Sequence, residues 1–177
     1  AKNKKVMLNW FGGEPLLNTG VMDALSEKLA ENGFSFSSYL ITNGSKLEES
    51  LIHEKTDLWH LSNAQITLDG TKETYEERKN YWNKEEGNFY RILENVKKLA
   101  EKDVYIHLRL NIDRENKEEI LSLVKEIEPV FKSYENVVFY PAFLTEIKKP
   151  FSEEEKLEFM KKLFSTVENT EKLTAAT

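Results

Sequence analysis

The residues with the clearest chemical potential follow short apolar runs of the chain. Gly12, Gly13 and Glu14 end the first of these runs, in the phrase LNWFGGEPLLN at Leu8–Asn18. Adjacent glycines let a ligand approach the backbone closely, because no Cβ atoms stand in the way. A glutamate at the carboxyl end of a strand lies at the rim where α/β sheets and barrels build their binding sites. The phrase therefore predicts a site made of backbone groups and a carboxylate.

In three further phrases, a short apolar run likewise leads into polar or glycine residues. They read LITNG at Leu40–Gly44, QITLDG at Gln65–Gly70 and LRLNID at Leu108–Asp113. In the second of them, Thr67 and Asp69 share one face of the expected strand by its two-residue period. Because burying unpaired polar groups is unfavourable, this face should lie where polar partners reach it. Asn-Gly and Asp-Gly are also common turn dipeptides, so a purely structural interpretation stays open for each phrase.

The third phrase belongs to a longer run whose two faces differ in character. Val104–Ile112 alternates aliphatic residues with polar and aromatic ones, and Arg109 and Asn111 fall on the polar side. This alternation predicts a strand whose polar face lines the interior of a barrel. Asp113 and Asn116, which follow, are interpreted as turn and helix-cap residues.

Composition and charge exclude several classes of protein. The chain has 177 residues, of which 40% are hydrophobic and 32% charged, and its formal net charge is −6. There is no basic stripe, which argues against nucleic acid as a partner. No apolar run approaches the ~18–20 residues of a membrane span and no signal peptide is visible, so we expect a cytoplasmic protein. The chain has no cysteine and its histidines (His53, His60 and His107) are dispersed, so we expect no disulfide and no metal site.

Strand-like and helix-like segments alternate and must position these residues. The expected strands are Lys5–Phe11, Phe36–Thr42, Ala64–Leu68, Val104–Ile112 and Asn136–Tyr140, the last ended by Pro141. The expected helices include Gly20–Asn32, Phe89–Lys102 and one from Ser152 to about Val167, with a loop or irregular helix at Thr71–Asn88. Capping boxes are predicted for Ser45 with Glu48, Asn116 with Glu119, and Ser152 with Glu155. About five β–α units in succession predict an α/β fold with a parallel sheet and right-handed crossovers.

Parallel neighbouring strands would bring distant residues together, because their carboxyl ends lie along one rim. The residues that we expect on this rim are Glu14, Asn43, Asp69 and Asn111. Thr67 and Arg109 should face the same concave side, with the amphipathic helices packed on the convex side. The aromatic residues interpreted as core are Tyr105, Tyr140, Phe143 and the pair Trp10–Phe11.

Taken together and in this order, the four phrases resemble the core of a radical S-adenosylmethionine (SAM) enzyme. The closest branch carries a SPASM-type C-terminal cluster domain and contains peptide and sulfatase maturases. The resemblance runs from about Lys5 to about Glu146, but the CxxxCxxC motif that holds the family's [4Fe–4S] cluster has no counterpart here. We therefore interpret residues 1–177 as a core-domain fragment, a partial TIM-like (β/α) barrel comprising strands two to six of the family's barrel. The N-terminal cluster loop and the C-terminal cluster domain would then be absent.

The resemblance implies a role for each candidate residue. The strand-end backbone at Gly12, Gly13 and Glu14 would receive the amino group of SAM. The hydroxyl of Thr67 would bind the carboxylate or ribose of SAM, and Arg78, otherwise a solvated charge, would clamp the carboxylate. The remaining candidates are Asn43 as a cavity residue, Asp69 as a base or positioning residue, Arg109 and Asn111 near the ribose and substrate, and Tyr140–Phe143 near adenine.

The resemblance also implies the chemistry of the whole protein. A cluster held by cysteines outside this chain would donate an electron to SAM, and the resulting 5′-deoxyadenosyl radical would abstract hydrogen from a peptide or protein substrate. This chain alone is expected to be inactive and to self-associate through an exposed strand edge. Two alternatives stay open: a cysteine-free α/β hydrolase or isomerase using Glu14 and Asp69 as acid and base, and a non-catalytic peptide-binding scaffold.

Overall fold

The computed structural model of the chain describes residues 5–79, 88–145 and 149–174. Strands and helices alternate in it. The strands are β1 Val6–Trp10, β2 Phe36–Thr42, β3 Leu61–Leu68, β4 Tyr105–Ile112 and β5 Val137–Phe143. The α-helices of the described residues are α1 Thr19–Glu31, α2 Glu49–Lys55, α3 Lys72–Lys79, α4 Phe89–Ala100, α5 Lys117–Ile127 and α6 Glu153–Thr166. Of the predicted loop or irregular helix at Thr71–Asn88, the first part is α3, and residues 80–87 lie outside the described part.

The five strands form one parallel sheet in the order β1-β2-β3-β4-β5. Each strand pairs with its neighbours in sequence, as right-handed β–α crossovers produce when they always advance in one direction. The predicted α/β fold of five parallel β–α units, consistent with a partial TIM-like barrel, is confirmed. No helix among the described residues is both long and apolar enough to cross a membrane.

The two faces of the sheet have different coverings. On β4, Ile106, Leu108, Leu110 and Ile112 are fully buried in the hydrophobic core. The residues that alternate with them are exposed or half-buried. The helices complete the core from the first side, where α4 contributes its predicted apolar face of Ile92, Leu93, Val96, Leu99 and Ala100. The second side, which we call the open face, carries no helix layer among the described residues.

The two edges of the sheet are also unequal. Among the residues that the structure describes, β1 pairs with β2 alone, whereas the outer edge of β5 receives a parallel bridge between Phe139 and Leu173. The backbone N–H of Thr174 donates to the carbonyl of Phe139 at 2.9 Å. The prediction that β5 ends at Pro141 is wrong, since the strand continues to Phe143. A proline fits here because, like Phe139, it directs its nitrogen to the outer edge of the sheet rather than to β4.

One of the three predicted capping boxes is present. The hydroxyl of Ser152 accepts a hydrogen bond from the N–H of Glu155, whose carboxylate accepts one from the N–H of Ser152. The box of Ser45 with Glu48 is wrong, because α2 begins only at Glu49 and has no side-chain cap. The N–H of Ser45 instead donates to the side-chain oxygen of Asn43 at 2.8 Å, in a turn before the helix.

The predicted box of Asn116 with Glu119 is also wrong. Asn116 does occupy the position before α5, but its side chain makes no capping hydrogen bond. Glu119 accepts hydrogen bonds from the hydroxyls of Thr71 and Thr74, which lie at the start of α3. Both side chains therefore join α5 to the end of β3 rather than closing their own helix.

Candidate functional site

The carboxyl ends of the strands form a rim along which the predicted polar residues are linked in two groups. Glu14 bonds to the end of β2 at Asn43, and Asp69, after β3, bonds to Asn111 near the end of β4. Helix α3 contacts both groups, because the hydroxyl of Tyr75 donates to the carbonyl of Asn43 at 3.3 Å and Lys79 pairs with Asp69. The rim therefore gathers residues that are far apart in sequence.

Glu14 links the end of β1 to the end of β2 through hydrogen bonds. Its Oε1 accepts hydrogen bonds from the hydroxyl of Thr42 at 2.7 Å and from the N–H of Leu16 at 3.1 Å. Its Oε2 accepts one from the N–H of Asn43 at 2.9 Å. With both oxygens engaged, the carboxylate holds the preceding glycines in place.

The backbone of Gly12 and Gly13 borders open space. A Cβ atom built on either glycine would meet no atom within 4 Å. Gly12 has a φ of +148°, a conformation that favours glycine. The peptide groups between β1 and Glu14 are thus free of overlying side chains and accessible to a ligand.

Asp69 is engaged from three sides. Its Oδ1 accepts a hydrogen bond from the amide of Asn111 at 2.8 Å, and its Oδ2 lies 2.7 Å from the ammonium of Lys79. Its backbone carbonyl accepts a hydrogen bond from the amide of Asn116 at 2.7 Å. Gly70 follows, and a Cβ there would lie 2.8 Å from Thr74, so α3 packs directly on this turn. Such a carboxylate is placed to orient its neighbours.

Arg78 reaches the rim with its guanidinium fork filled by Asp113. The Nη1 and Nη2 atoms donate to the two oxygens of Asp113 at 2.6 and 3.2 Å. Burial alone would raise the pKa of Asp113, but hydrogen bonds from Arg78 and from the N–H groups of Asn116 and Glu115 lower it below its usual value. The bond to Asp113 likewise raises the pKa of Arg78.

Thr67 and Arg109 lie side by side on the open face, as the sequence predicts. The register pairs Thr67 with Arg109 and Arg109 with Tyr140 on β5. The Nε of Arg109 donates to the side-chain oxygen of Asn111 at 2.9 Å, and its guanidinium carbon lies 5.8 Å from the ring centre of Tyr140. Within the described ranges, the hydroxyl of Thr67 makes no hydrogen bond, so it is available to a ligand.

Farther from the rim, the open face carries neutral polar and aromatic side chains. The hydroxyl of Tyr39 donates to the side-chain oxygen of Gln65 at 3.4 Å, and burial raises the pKa of Tyr39. The ring of His107 lies between those of Tyr105 and Tyr140, at 5.1 and 6.5 Å between centres. Burial lowers the pKa of His107, which favours the neutral imidazole.

Several aromatic residues were assigned to the core incorrectly from the sequence. Phe143 does pack inside, against Phe151 and Phe159. Tyr105 and Tyr140 lie on the open face instead, and Phe11 is 72% exposed. For Tyr140 the difference arises because β5 is nearly uniform in hydrophobicity, so its sequence does not reveal which side each residue takes. Tyr105 instead follows the alternation of β4, which places it on the same side as His107 and Arg109.

Sequence reasoning missed Lys79 and Tyr39, and it assigned Asp113 only to a turn. Lys79 stands in the charged run EERK, where nothing in the local pattern distinguishes a partner of Asp69 from a solvated lysine. Tyr39 has a weak signal, because it alternates with the buried Ser38 and Leu40. In the described part of the chain, no group of three or more histidine, aspartate or glutamate residues is arranged to hold a metal ion.

The chain matches no family model and no curated protein. Solved structures do resemble it. One is anSMEcpe with bound AdoMet and the Kp18Cys peptide, with a TM-score of 0.67 and 15% identity over 92% of this chain and 46% of that one. Native anSMEcpe with bound AdoMet gives a TM-score of 0.62 and 16% identity over 90% of this chain and 45% of that one.

A third similar structure is SuiB from Streptococcus suis bound to S-adenosylmethionine. Its TM-score is 0.58, with 17% identity over 98% of this chain and 39% of that one. At these identities the likeness shows a shared fold. The chain spans less than half the length of either anSMEcpe or SuiB.

Proposed function

We propose that this chain is the SAM-binding core of a radical SAM enzyme of the SPASM branch, which modifies a peptide or protein substrate. The observation that carries the proposal is the rim itself. An accessible glycine backbone at Gly12–Gly13 lies beside an open face that presents the free hydroxyl of Thr67. Structures of similar fold contain AdoMet, and one of them also contains a peptide. A cytoplasmic location is part of the same proposal.

The chain's own groups fit SAM in chemical type. The carbonyls of Gly12 and Gly13 would accept hydrogen bonds from its amino group, with the negative charge of Glu14 behind them. The hydroxyl of Thr67 would bind its carboxylate or ribose, Asn111 would lie near the ribose and the substrate, and Asn43 would line the cavity. A carboxylate bound by Arg78 would have to replace Asp113 in the guanidinium fork.

The [4Fe–4S] cluster does not fit this chain, which has no cysteine to hold it. In the proposed whole protein, cysteines outside residues 1–177 would hold the cluster, and SAM bound beside it would supply the radical that abstracts hydrogen from the substrate. The residues described here would bind and orient SAM and the substrate and exclude side reactions. The chain alone is therefore proposed to be inactive.

The contacts of Asp69 favour a positioning role and weaken the hydrolase or isomerase alternative. That alternative needs Glu14 and Asp69 as an acid and a base with access to a substrate proton. Both oxygens of Glu14 accept hydrogen bonds, and those of Asp69 are held by Asn111 and Lys79. Asp69 would instead orient Asn111, which in turn holds Arg109.

Titration of SAM into the ¹⁵N-labelled chain tests the cofactor site. We expect the amide signals of Gly12, Gly13 and Asn43 to shift, and Thr67→Val to weaken binding about three- to tenfold, since it removes one hydrogen bond. Thr166→Val on α6 is the matched control and should leave binding unchanged. Equal affinities of the two variants for SAM, or rim signals that do not move at millimolar SAM, would contradict the proposed SAM site.

Anaerobic iron–sulfur reconstitution tests the fragment interpretation separately. We expect no iron–sulfur absorbance and no cleavage of SAM after dithionite is added, because no thiolate is present. 5′-Deoxyadenosine above the no-protein level would show that the chain needs no external cluster ligands.

Self-association through β1 is a further part of the proposal. No described residue pairs with the outer edge of this strand, and β1 and the segment that follows it carry five exposed apolar side chains: Met7, Phe11, Leu17, Val21 and Leu25. Exposed edges and apolar patches favour pairing with another chain. Light scattering should detect dimers that Leu17→Glu with Val21→Glu disrupts, and a monomeric wild-type chain would refute this part.

A further inference from the structure

The open face carries a single formal charge on its strand residues. The positions of the five strands that face this side are Met7 and Asn9 on β1, Ser37, Tyr39 and Ile41 on β2, Asn63, Gln65 and Thr67 on β3, Tyr105, His107, Arg109 and Asn111 on β4, and Val138, Tyr140 and Ala142 on β5. Arg109 is the one lysine, arginine, aspartate or glutamate among them. The strand positions around this cation are therefore all uncharged, in a chain of net charge −6.

The carboxylates that follow β3 and β4 on the rim already have partners. Asp69 is held by Asn111 and Lys79, and Asp113 fills the fork of Arg78. Arg114, on the rim loop, is likewise paired with Glu155 at 2.8 Å. Within the described ranges, Arg109 has no carboxylate partner, and its Nη atoms are left without a hydrogen bond.

The guanidinium of Arg109 is nevertheless fixed in place. Its Nε donates to Asn111, which is itself held by Asp69, and its central carbon lies 5.8 Å from the ring centre of Tyr140. A guanidinium held at Nε presents its two Nη atoms as a fork that matches a carboxylate. Because the fork is positioned in advance, the side chain of Arg109 would lose little conformational entropy when a ligand binds.

We propose that the Nη atoms of Arg109 bind a carboxylate of the substrate, either an acidic side chain or a C-terminal carboxylate. The proposal rests on the proposed peptide-modifying function and names its substrate class: an acidic peptide segment. The neutral groups around Arg109, among them Tyr39, Gln65 and Tyr140, can bind peptide groups without repelling an anion.

The position of Arg109 separates this carboxylate from that of SAM. In SAM the amino and carboxylate groups share one carbon, and the proposed amino site is the end of β1. Strand β4 lies three strands away in the sheet order, about 14 Å at ~4.8 Å per strand. The guanidinium is turned toward Tyr140 on β5, the strand farthest from β1. If the amino group of SAM is bound at the end of β1, the carboxylate on the same carbon cannot also reach Arg109. A carboxylate bound at Arg109 therefore belongs to the substrate.

Nuclear magnetic resonance of the arginine Nε–Hε groups tests the proposal, because the sequence has only four arginines, at 78, 91, 109 and 114. The probes are N-acetylglutamic acid amide and N-acetylglutamine amide, which differ only in carboxylate against carboxamide. A second pair, N-acetyl-dialanine with a free or amidated C-terminus, identifies which carboxylate is preferred. We expect a saturable shift of the Arg109 signal with at least one acid and none with its amide.

Variants give the matched controls. Arg109→Gln should weaken acid binding at least about tenfold, whereas Arg114→Gln should leave it unchanged. Arg109→Lys keeps the charge but loses the fork, and an intermediate affinity is expected. Circular dichroism of each variant checks the fold.

Three results would overturn the proposal: equal shifts with acid and amide, acid binding that follows Arg78 or Arg114 instead, or loss of acid binding when SAM is saturating. The last would assign Arg109 to the carboxylate of the cofactor. Failure of SAM to shift the Gly12 and Gly13 signals would instead refute the proposed function, while the Arg109 result would stand as a separate measurement.

Discussion

The two sides of strand β4 show how this chain divides its tasks. Toward the helices it presents Leu108 and Leu110, which are completely buried among aliphatic neighbours. Toward the open side it presents His107, Arg109 and Asn111, which are only half-buried. Arg109 donates to Asn111, and Asn111 donates to Asp69 on the rim. Apolar burial stabilises the fold in proportion to area, whereas the polar side contributes little net stability. Residues one position apart on a strand can therefore be replaced with very different consequences.

Neighbouring residues of β2 provide the most sensitive test of this division. Leu40→Ala should lower the free energy of unfolding by about 2–5 kcal/mol, because a fully buried side chain is removed and a cavity remains. Ile41→Ala, one residue away on the open face, removes a side chain of similar size that is only half-buried, so about 1 kcal/mol or less is expected. Urea denaturation measures both. Equal losses would mean that the open side is as well packed as the helix side.

Asn116 is an exception to this division, since it is a polar residue that is only 1% exposed. Its amide donates to the carbonyls of Asp69 and Asn111, and its oxygen accepts from the N–H of Asp113. Asn116→Ala should cost about 1–3 kcal/mol of stability, because buried partners are left without hydrogen bonds. The control Asn32→Ala removes one exposed hydrogen bond and should change stability by less than about 0.5 kcal/mol.

The same residues explain how far the sequence predicts the molecule. Alternation in Val104–Ile112 and the helical face of α4 are local patterns, and both are confirmed because packing follows the same periodicity. The pattern of Asn116 with Glu119 also fits a local cap, but each side chain finds a tertiary partner instead. Such a choice depends on which strand end lies nearby, and a local pattern does not contain that information.

The site was predicted to a similar extent. The rim and the shared side of Thr67 and Arg109 follow from parallel strands, whose ends must coincide. The partners of Asp69 and Arg78 do not follow, because Lys79 and Asp113 are joined to them only by the way α3 crosses the rim. Their ligand roles stay predictions.

The ion pair of Arg78 with Asp113 tests whether rim contacts contribute as little stability as the comparison implies. A double-mutant cycle with Arg78→Gln and Asp113→Asn should give a coupling of about 0.5–1 kcal/mol. Because the folded-state pKa of Asp113 lies below its usual value, this stabilisation is present above about pH 4 and is lost as pH falls through the folded-state pKa. Unfolding free energies measured from about pH 6 to pH 3 should therefore decline more in the wild type than in Asp113→Asn. Parallel declines would show that the pair has no net effect.

His107 should give the smallest effect. Burial lowers its pKa in the folded state, so the unfolded chain binds a proton that the folded chain does not. Stability should fall slightly as pH decreases from about 6.5 to the folded-state pKa and level off below it. His107→Gln should remove this slope, whereas His53→Gln should retain it. If His107→Gln keeps the wild-type dependence of stability on pH, the imidazole of His107 is hydrated on the open face.

The order of strands in the sheet has a consequence for how the chain is made. Because the spatial order β1 to β5 repeats the order of synthesis, each new strand finds its partner already formed as the chain leaves the ribosome. No strand has to wait for a distant segment, which keeps the loops that must close short and lowers the entropic barrier to assembly. Growth of these five strands proceeds one β–α unit at a time, and Leu173 and Thr174 then reach the outer edge of β5. A ribosome-bound chain that lacks these two residues would thus hold the five strands with the outer edge of β5 still available for pairing.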